Sequence, residues 1–364
     1  MGLQCGIVGL PNVGKSTLFN ALTSAGALAA NYPFATKDPN LGVITVPDDR
    51  LNKLSEIVNP QRVVPTTVDI LDIAGLIKGA SKGEGLGNQF LANIREVDAI
   101  IHVVRAFEND NIVHVDGSID PVRDKEVVDV ELILKDIETM EKRIDKLRKQ
   151  IKTGDKEIAR ELEFAEKLLK TLEEGFTART MITDEESAIF IKQFQILTGK
   201  PVMYVCNVDE ASIHTGNKHT ERFKEVFKKE NAEIILISAG IEAEITELPQ
   251  DEREAFFKDL GLTEPGTFKI SKSAYKLLNL ITYFTAGEKE VRAWTVSIGS
   301  KAPQAAGVIH TDFEKGFIRA EVIHYHDYLQ YKTESAAKAA GKMATEGKEY
   351  VVQDGDVMHF LFNV

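Results

Sequence analysis

Cysteine is nearly absent from this chain of 364 residues, which holds only Cys5 and Cys206. Two thiols cannot build a disulfide framework for a protein of this size. Each lies in an apolar run, so buried reduced thiols in strands are expected. Long hydrophobic runs are missing too: no stretch approaches the roughly 18 residues a membrane helix needs, and no charged-then-apolar leader opens the chain. Gly6 stands where myristoylation of a Met-Gly start requires Ser or Thr. A cytoplasmic protein with no membrane partner is the expectation. Excess positive charge is lacking as well, since 44 Lys and Arg face 56 Asp and Glu for a net charge of −12. That balance argues against general polyanion coating and leaves room for a local basic patch. Internal repeats and low-complexity segments are absent.

What is present reads as ordinary globular chain, 43% hydrophobic and 27% charged, long enough for two or three cores. Up to Arg105, short β-branched runs alternate with loops and helical patterns: Gln4 to Val8, Gly42 to Val46, Val68 to Leu71 and Asp98 to Val104. Continuous apolar runs of this length predict strands covered on both faces, as in a parallel α/β sheet. From Val127 to Leu172 the period changes to three-four (Val130, Leu134, Ile137, Met140, Ile144, Leu147, Ile151, then Ile158, Leu162, Ala165, Leu169, Leu172), broken at Lys152-Thr153-Gly154-Asp155. This predicts two amphipathic helices folded back as an antiparallel hairpin. Strands resume at Pro201 to Cys206 and Ile234 to Ile237, with a helix over Lys218 to Lys229 between them. The hairpin is therefore an insertion in one α/β domain. Past Asn279 the pattern is alternating strands (Val291 to Ile298, Phe317 to Ile323, Glu349 to Val352, Val357 to Phe362) with a short helix near Pro303. The expected domains are 1–105 with 200–278, the insertion 106–199, and a module over 279–364.

Gly9-Leu10-Pro11-Asn12-Val13-Gly14-Lys15-Ser16 fits GxxxxGK[ST] directly after a predicted strand, and it opens a predicted helix over Ser16 to Thr23. The run Asn12, Val13, Gly14, Lys15, Ser16 and Thr17 is expected to wrap phosphates with backbone N–H groups at a helix N-terminus. Lys15 would reach the β and γ phosphates and Ser16 would bind Mg2+. Asp72, ending an apolar strand, can hold the magnesium through a water, and the Gly75 N–H can sense a γ-phosphate. Alone, Asp-x-x-Gly is as well explained by a strand-ending turn. Thr36, in Tyr32-Pro33-Phe34-Ala35-Thr36, is a candidate second magnesium hydroxyl and otherwise a plain loop threonine.

A guanine site of this architecture ends a later strand with Asn-Lys-x-Asp. Here the run is Asn207-Val208-Asp209-Glu210, so the two-pronged carboxylate for guanine is displaced. Adenine could be met by Asn207 and nearby backbone, with Val208 against the ring; Ser238-Ala239 falls where the last base loop belongs. The position after Asp-x-x-Gly that orients water in Ras-like enzymes is Leu76, which can neither donate nor accept. Two helpers are candidates: Asn12, which could coordinate a K+ ion or merely shape its loop, and His114, which could orient water or merely pack its loop. In the hairpin, Lys142, Arg143, Lys146, Arg148, Lys149 and Lys152 cluster toward the turn. They form either an RNA-contacting patch or a solvated face.

The runs GLPNVGKST, YPFAT, DIAGL and NVDE together resemble the Obg-related translation-factor GTPases, and the helical insertion with a β-rich tail resembles their YchF branch. The similarity spans essentially the whole chain. It implies a Ras-like P-loop NTPase sheet of α/β class with an inserted antiparallel helical hairpin and a C-terminal TGS module, a ubiquitin-like β-grasp. It also implies an ATPase despite GTPase ancestry, using ATP and Mg2+, that associates with ribosomes (50S subunit or 70S); contact with ribosomal RNA and a monomeric state are separate expectations. The catalytic candidates are His114 and Lys15, and Ser16, Thr36 and Asp72 are the metal candidates. Gly75, Asn207, Val208, Glu210, Ser238 and Ala239 join the phosphate loop around the nucleotide. Two alternatives stay open: a nucleotide-gated protein- or nucleic-acid-binding switch with incidental hydrolysis, and retained GTP specificity.

Overall fold

The computed structural model describes residues 3–30, 40–73, 75, 86–150 and 155–363. In chain order, the first stretch holds β1 (Gln4–Val8), α1 (Lys15–Ala30), β2 (Leu41–Val46), α2 (Asp49–Val58), β3 (Val63–Val64) and β4 (Thr66–Asp72). Then come α3 (Leu86–Glu96), β5 (Ala99–Arg105), α4 (Pro121–Gln150), α5 (Lys156–Glu173) and α6 (Glu185–Gln193). Next are β6 (Val202–Asn207), α7 (Lys218–Val226), β7 (Ile234–Ile237), α8 (Ala239–Glu247), α9 (Gln250–Asp259) and α10 (Gly266–Leu277). The last stretch holds β8 (Leu280–Ala286), β9 (Val291–Ser297), α11 (Ala302–Ile309), α12 (Thr311–Lys315), β10 (Phe317–His324), α13 (Tyr325–Tyr331), α14 (Glu334–Ala339), β11 (Ala344–Glu346) and β12 (Asp356–Phe362).

The chain divides into two compact units. One comprises Met1–Leu22, Thr36–Gly42 and Ile70–Gly266; the other comprises Thr23–Ala35, Val43–Asp69 and Thr267–Val364. One sheet has the order β2-β4-β1-β5-β6-β7; its strands β1, β5, β6 and β7 belong to the first unit and pair in parallel, while β2 and β4 are divided between the two units. Every residue of β5 and β6 is buried, as continuous apolar strands covered on both faces must be. Cys5 and Cys206 lie inside this sheet, and burial pushes both thiols up to about 12.

The insertion is α4 and α5. Asp120 Oδ1 accepts from the Val122 and Arg123 N–H groups, with Pro121 opening the first turn of α4, and Asp155 accepts from Glu157 N–H to start α5. Met140, Ile144 and Leu147 pack on Ala165, Leu168 and Leu172, the seam the periodicity predicts except at Leu168, which is buried while the expected Leu169 is only partly so. Nearer the base the expectation shifts: Val130 and Leu134 are exposed, while Val128, Leu132 and Ile133 are buried. There α4 lies on β5 and α7, so the sheet rather than the hairpin partner chooses the buried face. Toward the tip, Lys142 pairs with Glu138, Arg143 with Glu161 and Arg148 with Glu166. Part of the expected free positive patch is thus neutralised by the hairpin itself. Lys152 and the turn lie outside the described residues.

The second unit carries a sheet of order β11-β10-β12-β8-β9-β3. The β8–β9 hairpin is antiparallel, α11 crosses one face, β12 returns parallel to β8, and β10 and β11 extend antiparallel from it. This is the β-grasp arrangement. Ala302, Ala305 and Ala306 let α11 lie close on Tyr283, Phe317, Met358 and Phe360. Phe317 is core, and Trp294 is part of the packing, its indole N–H donating to Thr285 Oγ1. Glu349 to Val352 is not a strand: Val351 makes a single bridge with Lys301, and the edge strand is β11. Val352 still packs inward, its N–H held by Ser300 O, which accounts for the apolar pair in the sequence.

This unit also takes in Val43–Asp69, a segment the sequence reading assigned to the nucleotide domain. The amphipathic helix α2, capped by Asp48 and ended by a left-handed Asn59 (φ 51°), buries Leu51 and Leu54 against Phe284, Ala293 and Tyr325. The strand β3 then pairs in parallel with β9.

Candidate functional site

The phosphate loop follows from where β1 ends and α1 begins. Gly14 has φ +96°, and a Cβ there would stand 2.3 Å from Asn207 Nδ2, so only glycine permits this approach. Asn12 also adopts a left-handed φ of 62°, and Val13 is fully buried. Lys15 is 8% exposed and donates to Leu10 O at 2.9 Å. Burial lowers its pKa, with the Asp72 charge opposing.

Asp72 is brought against this loop at the end of β4. Ser16 Oγ donates to Asp72 Oδ2 at 3.3 Å, and Asp72 Oδ1 is buried with no hydrogen-bond partner among the described residues. Burial raises the Asp72 pKa, and Lys15 and Ser16 pull it back. A buried carboxylate oxygen with no partner beside a hydroxyl fits a hard divalent cation that ligates through oxygen. Gly75 lies here as well, since Lys15 Nζ is 3.1 Å from the position its Cβ would take. Thr36 and Leu76 lie outside the described residues.

A cavity of about 470 Å3 adjoins the loop, lined by Asn12, Gly14, Thr17, Asn207, Val208, Asp209, Ser238, Ala239 and Gly240 from one side and by the 107–112 turn from the other. Asn207, in that lining, is already engaged within the protein. Its Nδ2 donates to Val13 O at 2.9 Å and its Oδ1 accepts from Ala239 N–H at 3.0 Å. Both ends of the amide tie the phosphate loop to the start of α8, each with one hydrogen-bonding position left over. Val208 is buried, its N–H on Ile237 O at 2.8 Å. Glu210 is exposed on a short 3-10 turn and is absent from the lining, where Asp209 stands instead, itself accepting from Ser212 N–H.

Sequence reasoning missed the other wall. Arg105, 1% exposed at the end of β5, donates to Phe107 O, Asn109 O and Ile112 O at 3.2, 3.1 and 2.9 Å and lies over the Phe107 ring. One guanidinium thus shapes the whole turn. The available signal was a charged residue closing a strand that is apolar but for His102. The same loop continues to the nucleotide side: Asn12 Nδ2 donates to Val113 O at 3.1 Å. His114 is buried, with Nε2 2.8 Å from Asp124 Oδ2 and Nδ1 accepting from the Asp116 N–H at 3.2 Å. Both ring nitrogens are engaged within the protein, so the water-orienting role expected for His114 requires one of these bonds to open. The loop that carries His114 follows β5 and reaches the phosphate loop through the Asn12–Val113 bond.

The arrangement is that of a nucleoside triphosphate site, and comparisons with known proteins agree. The family described as "50S ribosome-binding GTPase" matches residues 4–151, and the YchF-GTPase C-terminal family, described as a protein of unknown function, matches 280–363. Proteins named "Ribosome-binding ATPase YchF" align over all of this chain and all of their own length. The one from Haemophilus ducreyi is 58% identical, and those from Escherichia coli O157:H7 and Bacillus subtilis are 56% identical. The chain belongs to the YchF family. The solved YchF GTPase of Schizosaccharomyces pombe shares 42% identity, covers 99% of this chain and 97% of its own, and superposes with a TM-score of 0.89. The nucleotide sheet, the inserted hairpin and the β-grasp are therefore those of the YchF fold.

Proposed function

We propose that this protein is a Mg2+-dependent ATPase that prefers ATP to GTP and associates with the ribosome according to its nucleotide state, acting as a cytoplasmic monomer. The observation that carries the chemistry is the buried Asp72 oxygen, without a hydrogen-bond partner among the described residues, beside Ser16 and Lys15. Those residues would hold Mg2+, with Thr36 as the added ligand, and the metal would neutralise charge on the β and γ phosphates. Lys15, the backbone of residues 12–17 and Gly75 bind the phosphates. Asn12, whose Nδ2 is taken by Val113, has its Oδ1 to offer a K+ ion.

The preference for ATP is supported by the run Asn207-Val208-Asp209-Glu210, in which the fourth-position carboxylate of a guanine fork is the longer Glu210 and lies off the cavity wall, while Asp209, the carboxylate that does line it, accepts from the Ser212 N–H. Val208, Ser238 and Ala239 remain to line the base. Competing ATP and GTP in one equilibrium titration tests this, and equal or tighter GTP binding refutes it. Ribosome association is supported by the names of the relatives and by Lys146 and Lys149 near the hairpin tip, where a contact to ribosomal RNA phosphates is the natural one. Lys146→Glu with Lys149→Glu should weaken cosedimentation with 50S subunits or 70S particles; unchanged cosedimentation removes the tip from the interface. No described helix is long and apolar enough to cross a membrane. In the ATPase reading His114 orients the attacking water once one of its two hydrogen bonds opens; the engagement of both nitrogens at rest favours a second reading, a nucleotide-gated protein- or nucleic-acid-binding switch with incidental hydrolysis. Stimulation of turnover by ribosomes separates the two.

A further inference from the structure

We infer that Asp124 is the positioning residue of hydrolysis: it holds His114 in the tautomer whose Nδ1 takes the proton of the attacking water. The inference rests on the reading of His114 as the water-orienting group and goes beyond it by assigning the residue, the tautomer and the atom.

The hydrogen bonds fix the tautomer. A backbone N–H can only donate, so the Asp116 N–H at 3.2 Å requires a lone pair on Nδ1. The proton then lies on Nε2, where Asp124 Oδ2 accepts it at 2.8 Å. The two bonds are unequal. The one to Asp124 is short, charge-assisted and buried, while the one to Asp116 is longer and neutral, so it opens first. The atom released is Nδ1, an acceptor.

Asp124 is built to stay in place. It is 1% exposed on the first turn of α4, and its other oxygen is held by Arg123 Nη2 at 2.9 Å and Nε at 3.2 Å. Arg123 also binds Ser118 Oγ and Ser118 O, at 2.9 and 2.7 Å, closing the loop that carries His114. Along that loop Val113 and Val115 are 77% and 56% exposed, and His114 between them is 6% exposed. The ring therefore faces inward, and its neighbour's carbonyl rests on Asn12 of the phosphate loop.

The step balances. Water oxygen bonds to the γ-phosphorus while the bond from that phosphorus to the β,γ-bridging oxygen breaks, and ADP leaves with the electron pair. The water proton passes to His114 Nδ1, and Asp124 stabilises the imidazolium through the Nε2–H. The proton then leaves with the products and the neutral ring is restored.

The test is a double-mutant cycle on the full chain, measuring kcat and KM for ATP in His114→Ala, Asp124→Asn and the double variant. Both single variants should lose about 10²-fold or more in kcat, with KM within about twofold, and the double should be no slower than His114→Ala. A residue with only a structural role would multiply its loss onto that of His114→Ala, which would overturn the inference; unchanged kcat in Asp124→Asn overturns it as well. If His114→Ala itself hydrolyses normally, the underlying reading fails first. Should Asp124→Asn not fold, 15N NMR of the wild-type ring decides: protonation on Nε2 is expected, and protonation on Nδ1 is contrary to the inference.

Discussion

Asn207 offers the sharpest separation between holding a site and reading a ligand. Replacing it with Ala removes an amide that accepts from Ala239 N–H and donates to Val13 O, both about 3 Å away and buried. Two backbone groups then lose their partner. At roughly 1–3 kcal/mol for each unsatisfied buried group, and with water able to enter the hole left by the amide, the loss is about 2–4 kcal/mol of stability. Part of it falls on nucleotide binding, because the tie fixes the phosphate loop against the start of α8. ATP and GTP share the phosphates, so their affinities should fall by the same factor, tenfold or more, with their ratio unchanged. Urea denaturation without nucleotide gives the first quantity, and paired ATP and GTP titrations give the second. Asn207→Asp is the control: it keeps the acceptor for Ala239 but sets an oxygen against Val13 O, so it should be no better than Ala. A change in the ATP to GTP ratio without loss of stability would refute the reasoning and return Asn207 to the base.

Gly14→Ala places a Cβ at φ +96° within 2.3 Å of Asn207 Nδ2. Strain of about 1–3 kcal/mol should reduce ATP affinity at least tenfold, as read by calorimetry. Asp72→Asn should raise the Mg2+ concentration needed for half-maximal ATP turnover by more than tenfold while leaving the melting temperature of the protein without nucleotide nearly unchanged. Asp136 is buried beneath the Leu197 and Thr198 N–H groups, and desolvation lifts its carboxyl to about 6 from an ordinary 3.8. The folded form therefore binds the proton more tightly than the unfolded form. Its contribution is full below about pH 4 and is lost as pH rises through about 6. The difference in urea midpoint between wild type and Asp136→Asn should change across that window and be constant above it.

The phosphate loop and the strand beside it were legible because their signal is local: a strand, a glycine-rich turn and a helix start within about a dozen residues of one another; Asp72, 56 residues beyond Ser16, was legible from the apolar strand it ends. The hairpin was legible along its seam, where one helix decides the other's buried face, and misread at Val130 and Leu134, where a sheet distant in sequence decides it. The membership of α2 and β3 in the β-grasp unit was invisible for the same reason, since Leu51 and Val63 find their partners at Phe284 and Val291. Arg105 and Asp124 show a further limit. Each looks like an ordinary charge at an element end, and only the folded loop reveals three carbonyls on one and a buried histidine on the other. Of the tip cations, Arg143 and Arg148 spend their charge on α5, which counting charges along one helix cannot foresee.

The splicing of Val43–Asp69 into the C-terminal unit sets a schedule for biosynthesis. Leu51 and Leu54 leave the ribosome early, but the surface that covers them, Phe284, Val291 and Tyr325, is not made until more than 200 residues later. At about 5–20 residues per second that interval is on the order of 10–50 s, during which an amphipathic helix and an unpaired strand must remain uncovered. Truncation before residue 280 would make the wait permanent. The shortened protein would be a nucleotide domain with an exposed apolar helix, prone to aggregate, and not a smaller version of the same enzyme.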